Sequence, residues 1–158
     1  MTTPIHLVRH AKAGNRLRWT QPDELRPLTK PGRRQAEALV TLLADQPFSR
    51  LLSSPYVRCL QTLEPLAKAR GLPLEPTELL AEGASIEAVL ELMLSMAADG
   101  PVALSTHGDV MTGVVFELLG AGIPVEGGHE FKKGSAWILD VRGGAISHAR
   151  YLPPPIVA

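Results

Sequence analysis

Two histidines and two arginines stand where short apolar runs give way to loops or helices. Arg9 and His10 end the run Pro4-Ile5-His6-Leu7-Val8, Ser54 and Arg58 follow Arg50-Leu51-Leu52-Ser53, and His107 follows Pro101-Val102-Ala103-Leu104-Ser105-Thr106. Ligands of open α/β sheets sit beyond the carboxyl ends of parallel strands, so three such ends would gather these side chains in one crevice. A phosphoryl group needs that setting: cationic donors for its peripheral oxygens and a nucleophile in line with the leaving oxygen. Two guanidinium groups offer planar forks of donors. The same positive surroundings favour a neutral His10, whose ring nitrogen can attack phosphorus. The chemistry also needs an acid for the leaving group and later a base for water. Glu82, in the turn before the third long helix, is the best-placed carboxylate. Lys12 and Arg16 extend the positive rim and are candidate substrate contacts, as is Ser54.

The elements that must position these groups follow from pattern and punctuation. Residues 11–28 read as a polar loop with Arg16, Arg18, Trp19, Asp23, Glu24 and Arg26 between turn prolines, whose mixed charge suits either the mouth of a site or a solvated surface. Thr29 is a helix N-cap, and apolar residues recur at helical spacing from Ala36 to Leu43 until Pro47. A second helix runs from about Val57 to Arg70 and is closed by Gly71. Arg58 in its first turn opposes the helix dipole, which is better explained if an anion binds there. Ser85 caps a third helix through about Ala98, and a fourth spans about Asp109 to Leu119. Ser135–Val141 and Ala145–Leu152, joined by Gly143-Gly144, form an antiparallel pair at one edge of the sheet. The fold class is α/β: a three-layer α/β/α arrangement around a mostly parallel sheet with an antiparallel edge.

With 158 residues, the chain is most simply one domain over 1–158, with an extended tail at 153–158 set by Pro153-Pro154-Pro155. Sixteen basic and sixteen acidic residues cancel, so nothing predicts general attraction to nucleic acid or to an anionic membrane. The single Cys59 excludes an intrachain disulfide and a cysteine-based zinc cluster. No apolar stretch is long enough to span a bilayer and no signal-peptide layout opens the chain, which points to the cytoplasm. Other candidates have plainer readings. His6 reads as a packed or edge residue, His129 and His148 lack ligand spacing, Cys59 reads as inert core facing away from Arg58, and Asp109 as a helix-capping acid.

The ordered set Leu7-Val8-Arg9-His10-Ala11, Ser53-Ser54-Pro55 with Arg58 and Gln61-Thr62, and Ser105-Thr106-His107-Gly108-Asp109 resembles the histidine phosphatase superfamily, also called phosphoglycerate mutase-like. Leu28-Thr29, Gly32 and Gln35-Ala36 match that family's first helix, so the resemblance covers nearly the whole chain. Its length and RHA form resemble most the compact, SixA-like phosphohistidine phosphatase branch. The resemblance implies that His10 is phosphorylated, that Arg9, Arg58 and His107 hold the phosphate, that a carboxylate, here Glu82, gives the proton, and that no metal or cofactor takes part. Ala11 stands where many members have Gly, and the acid is variable in the compact branch. The short stretch from Gly71 to Ala98 leaves no room for the helices that roof the site in larger members, so an open pocket is expected. An open pocket would admit a phosphorylated protein and disfavours a mutase. Arg26-Pro27-Leu28-Thr29-Lys30, Leu52–Ala67 and Leu80–Ala84 also resemble the phosphatase domain that some Nudix hydrolases carry, which would imply nucleotides or other small phosphate esters, with Trp19 available to stack a base. A non-catalytic module that binds phosphorylated partners is the remaining alternative.

Overall fold

The computed structural model describes residues 1–157. Seven strands, β1 (Thr3–Arg9), β2 (Arg50–Ser53), β3 (Leu74–Pro76), β4 (Val102–Thr106), β5 (Val125–Glu126), β6 (Ala136–Arg142) and β7 (Ala145–Leu152), form one sheet in the order β3-β2-β4-β1-β6-β7-β5. The neighbours β3-β2, β2-β4, β4-β1 and β7-β5 run parallel, and β1-β6 and β6-β7 run antiparallel. Four helices, α1 (Lys30–Leu42), α2 (Val57–Arg70), α3 (Ile86–Ala97) and α4 (Gly108–Gly120), cover the two faces.

The pleat of β1 decides which helices lie where. Ile5 and Leu7 point into a core shared with Val89 and Met93 of α3 and Val110, Met111 and Val114 of α4. Val8 points the other way, onto Leu39 of α1 and Leu63 and Leu66 of α2. Residues 5–8 are therefore buried on both sides, as a central strand of a helix-covered sheet must be. His6 shares the α1/α2 face. It is wholly buried, edge-on to Phe48, and neither ring nitrogen has a hydrogen-bond partner.

Local signals set most boundaries. Thr29 accepts from Gly32 N at 3.1 Å and Ser85 caps α3 through Ala88 N, while Gly71 ends α2 at φ +64°. α1 stops at Leu42 rather than running to Pro47, because the bonds Ala44 N to Thr41 O and Gln46 N to Leu43 O tighten the chain into turns. The two-residue strand β5 is too short to leave a periodic pattern, and it forms by pairing with Ala149 and Arg150 of β7. The expected tail is without regular structure from Pro153 to Val157, and Ala158 lies outside the described residues. Among the described residues, no helix is long and apolar enough to cross a membrane.

Gly32 fixes how α1 meets the loop after β1. A Cβ there would stand 1.9 Å from the carbonyl oxygen of Lys12, which already accepts from Thr29 N and Thr29 Oγ1. Gly32→Ala is expected to destabilise by about 1–3 kcal/mol or more through overpacking against backbone. Gly120→Ala, with nothing within 4 Å of its Cβ, should be neutral or stabilising. Urea unfolding of the two variants checks the contrast.

Candidate active site

The parallel pairing of β1 with β4, in register Arg9 opposite Thr106, delivers His10 and His107 to the same sheet end. His10 N donates to Thr106 O at 3.0 Å, and the two imidazole centroids stand 5.7 Å apart. His10 is buried, and its Nδ1 lies 2.8 Å from the carbonyl oxygen of Ala11. A carbonyl only accepts, so Nδ1 carries the proton and Nε2 bears the free lone pair. Burial, aided by the nearby Arg58 and Arg9 charges, lowers the pKa of His10 to about 3 against the opposing pull of the Ala11 carbonyl. His10 is thus neutral over the ordinary pH range. His107 is lowered to about 4, again by burial first and by Arg58 next.

The two arginines are held differently. Arg9 Nη1 donates to Phe131 O at 2.6 Å, while its Nε is buried without a partner. Its guanidinium lies so close to the first turn of α4 that a Cβ on Gly108 would be 2.7 Å from Arg9 Cζ. Arg58 is wholly buried, with its Cζ 4.9 Å from the centre of the Tyr56 ring. Its Nη1 and Nη2 donate to the carbonyl and carboxylate of Asp23, each at 2.9 Å, and its Nε has no partner. Arg26 Nε also donates to Asp23, at 3.0 Å. Burial raises the Asp23 carboxyl, but the hydrogen bonds from Arg26 and Arg58 outweigh it and hold the group below its usual range. An anion beside Arg58 is thus supplied by the chain itself, in addition to any bound anion expected there from the sequence.

Glu82 sits in a turn anchored from the β4–α4 junction. Thr106 Oγ1 donates to Leu80 O at 2.7 Å, and Gly83 N donates to the Asp109 carboxylate at 2.8 Å. Glu82 Oε1 accepts from Arg16 Nη2 at 3.0 Å and lies 3.8 Å from Arg58 Nη2. A cavity of about 1090 Å³ opens between these elements, walled by Arg9, His10, Lys12, Arg16, Glu82 and His107. Arg26, Asp109 and Lys133 complete its charged lining.

Six of the eight site residues expected from sequence thus share one cavity wall. The other two lie behind it. Arg58 is closed onto Asp23, and the buried Ser54 hydroxyl is 2.8 Å from His107 Nε2, where it orients that ring. Cys59 adds a contact that the sequence did not indicate. It is buried as anticipated, but its Sγ stands 3.5 Å from His107 Nε2 and so packs against the site, with burial pushing the thiol up to about 12. Trp19 is turned onto Pro22 O and does not wall the cavity. Arg26 lines the cavity, as expected of a loop at the mouth of a site, whereas sequence reasoning missed Asp23 as the clamp on Arg58, Lys133 as lining, and Asp109 as the anchor of the Glu82 turn. Nothing in residue spacing marks the bonds from Arg58 to Asp23 or from Gly83 to Asp109, because each joins segments far apart in the chain.

The family model described as the histidine phosphatase superfamily (branch 1) matches residues 5–85, which holds Arg9, His10, Arg58 and Glu82. The chain belongs to this superfamily. An 8-oxo-(d)GTP phosphatase of Mycolicibacterium smegmatis is 36% identical over 160 residues, covering 98% of this chain and 49% of that protein. The chain therefore spans about half the length of that relative. Among solved structures, the protein histidine phosphatase SixA complexed with tungstate superposes with TM-score 0.75 at 20% identity, over 94% of this chain and 93% of that one. Mycobacterial glucosyl-3-phosphoglycerate phosphatase gives TM-score 0.70 at 16% identity, over 96% and 97%. The fold is accordingly the phosphoglycerate mutase-like α/β arrangement.

His6, His10 and His107 all have folded-state pKa values lowered from 6.5, to about 4, 3 and 4. Below pH 6.5 the unfolded chain takes up protons that the folded chain refuses, so stability is complete above that value and falls as pH drops toward 4. Each histidine should add about 1.4 kcal/mol per pH unit to that slope. Urea unfolding at pH 7.5, 5.5 and 4.5 should show the fall, and His6→Leu should make it shallower. Gly108→Ala should unfold like the wild type yet reduce kcat/KM roughly tenfold or more, since Arg9 must swing away from the new methyl.

Proposed function

We propose that the protein is a phosphatase that passes the phosphoryl group through His10. The observation that carries this reading is the Ala11 carbonyl on His10 Nδ1, which leaves Nε2 as a neutral nucleophile beside arginine forks. In the first step His10 Nε2 forms a bond to phosphorus and the bond to the leaving oxygen breaks. Arg9 and His107 stabilise the peripheral oxygens, and Glu82 supplies the proton that the leaving oxygen takes. Arg58 acts from behind, by its charge and by its buried Nε, with Asp23 fixing its fork. In the second step the Glu82 carboxylate takes a proton from water as the water attacks phospho-His10, releasing phosphate and restoring the ring.

For the substrate we infer a small phosphate ester of the nucleotide kind. What supports this is the cation-walled cavity together with the relative named for 8-oxo-(d)GTP, which is the more similar in sequence. A protein phosphohistidine is the second reading. The open cavity and the fold shared with SixA, a protein of matching length, favour it. The lone tetrahedral oxyanion named in that structure, tungstate, is consistent with either.

Phosphate release from a nucleoside diphosphate, a phosphohistidine protein and an aryl phosphate separates these readings. Wild type should turn over one class and form an acid-labile phosphoenzyme. His10→Ala should lose roughly a thousandfold or more and form none. Glu82→Gln should lose about a hundredfold on esters with poor leaving groups and less on the aryl phosphate, whose oxygen needs no proton. Phosphate binding by wild type without turnover or label would make the protein a binding module.

A further inference from the structure

The cavity holds more positive charge than one phosphoryl group requires. Beyond Arg9, its wall carries Lys12, Arg16, Arg26 and Lys133, and of these Arg16 is paired with Glu82 and Arg26 with Asp23. We propose that Lys12 and Lys133, with Arg26 beside them, form a second anion subsite next to His10 that holds the non-transferred phosphate of a diphosphate ester. This inference deepens the phosphatase reading above and rests on it. The enzyme would then remove the terminal phosphate of a diphosphate in preference to hydrolysing a monoester.

The two lysines are brought together by construction. The Gln35 side chain, reaching from α1, accepts from Lys12 N at 2.9 Å and donates to Lys133 O at 3.3 Å. It therefore ties the loop after β1 to the loop before β6. Two glycines allow the close approach. Gly32 packs directly on the Lys12 carbonyl, and Gly134, at φ +82°, would place a Cβ 3.0 Å from Gln35 Nε2. Gly134 N in turn donates to the carbonyls of Arg9 and His10, which fixes the Lys133 loop against the catalytic strand.

Charge is sorted across the cavity. Glu82 and Asp109 belong to the α3/α4 side, whereas neither Lys12 nor Lys133 makes an ion pair among the described residues. Arg26 has a nearly buried side chain whose Nε and Nη1 are engaged by Asp23 and the Gly14 carbonyl, and no hydrogen bond of its Nη2 is found among the described residues. Partial burial and the Arg9, Arg26, Lys12 and Arg16 charges lower the Lys133 pKa. Cations held this close repel one another, and an anion between them relieves the repulsion. Lys12 and Lys133 line the same cavity as His10 and Glu82, in which the phosphate adjoining a terminal one would lie.

The test compares kcat/KM for the mono- and diphosphate esters of one nucleoside in wild type, Lys12→Ala, Lys133→Ala and the double variant. Titration calorimetry with inorganic phosphate and pyrophosphate runs beside it. Wild type should favour the diphosphate roughly tenfold or more, each single variant should reduce that ratio, and the double variant should bring it near one. Gln35→Leu, which keeps both lysines and unties them, should also reduce it. Equal use of both esters by wild type, or an unchanged ratio in the double variant, overturns the subsite. If no ester is hydrolysed, the small-ester reading fails and calorimetry decides. Tighter binding of pyrophosphate than phosphate, lost in the double variant, still supports the subsite, and equal binding overturns it.

Discussion

The structure depends on the parallel pairing of β1 with β4. Both strands are apolar on both faces and covered by helices on each side, so their register is fixed by burial as well as by hydrogen bonds. Because the strands run the same way, their last residues emerge at the same end, and the bond from His10 N to Thr106 O sets the two histidines side by side. A slip of one residue would turn His10 to the opposite helix layer and leave Arg9 in its place. The site is thus specified by the same apolar burial that holds the sheet together.

A site with this many cations needs internal compensation, and Asp23 supplies part of it. Burying Arg58 without an anion would cost several kcal/mol, whereas the Asp23 carboxylate and carbonyl meet two of its nitrogens directly. Asp23 is itself partly exposed, so solvent tempers the strength of this pair. The clamp also joins three segments. Asp23 lies in the loop after β1, Arg26 follows it and bonds the Gly14 carbonyl, and Arg58 begins α2. The loop over residues 11–28 is therefore part of the site's framework rather than a solvated connection.

The histidine electrostatics follow from that framework. Arg58 sits behind both rings and adds to the burial that keeps them neutral, while hydrogen bonds fix their orientation: the Ala11 carbonyl for His10 and the Ser54 hydroxyl for His107. Thr62 reinforces this from α2. Its hydroxyl donates to Arg58 O and accepts from Ala11 N, so one side chain links the helix bearing the arginine to the residue after His10. Thr62, which stands with Arg58 and Gln61 in the sequence motif, is in this way part of the positioning of the site.

Much of this was legible in the sequence. The apolar runs at Ile5–Val8, Leu51–Leu52 and Val102–Leu104, and the caps Thr29 and Ser85, gave the sheet's parallel half and its helices. The motif residues Arg9, His10, Arg58 and His107, with the turn acid Glu82, indicated phosphoryl chemistry. These signals are local: burial writes a periodicity, caps and turns occupy fixed offsets, and strand ends announce themselves by polarity. The tertiary structure alone decided that Arg58 closes on Asp23, that Ser54 and Cys59 meet His107, that Asp109 anchors the Glu82 turn, and that Gln35 draws Lys12 to Lys133. Each of those contacts joins residues from separate elements, and no local pattern records a partner whose position depends on how the whole chain packs.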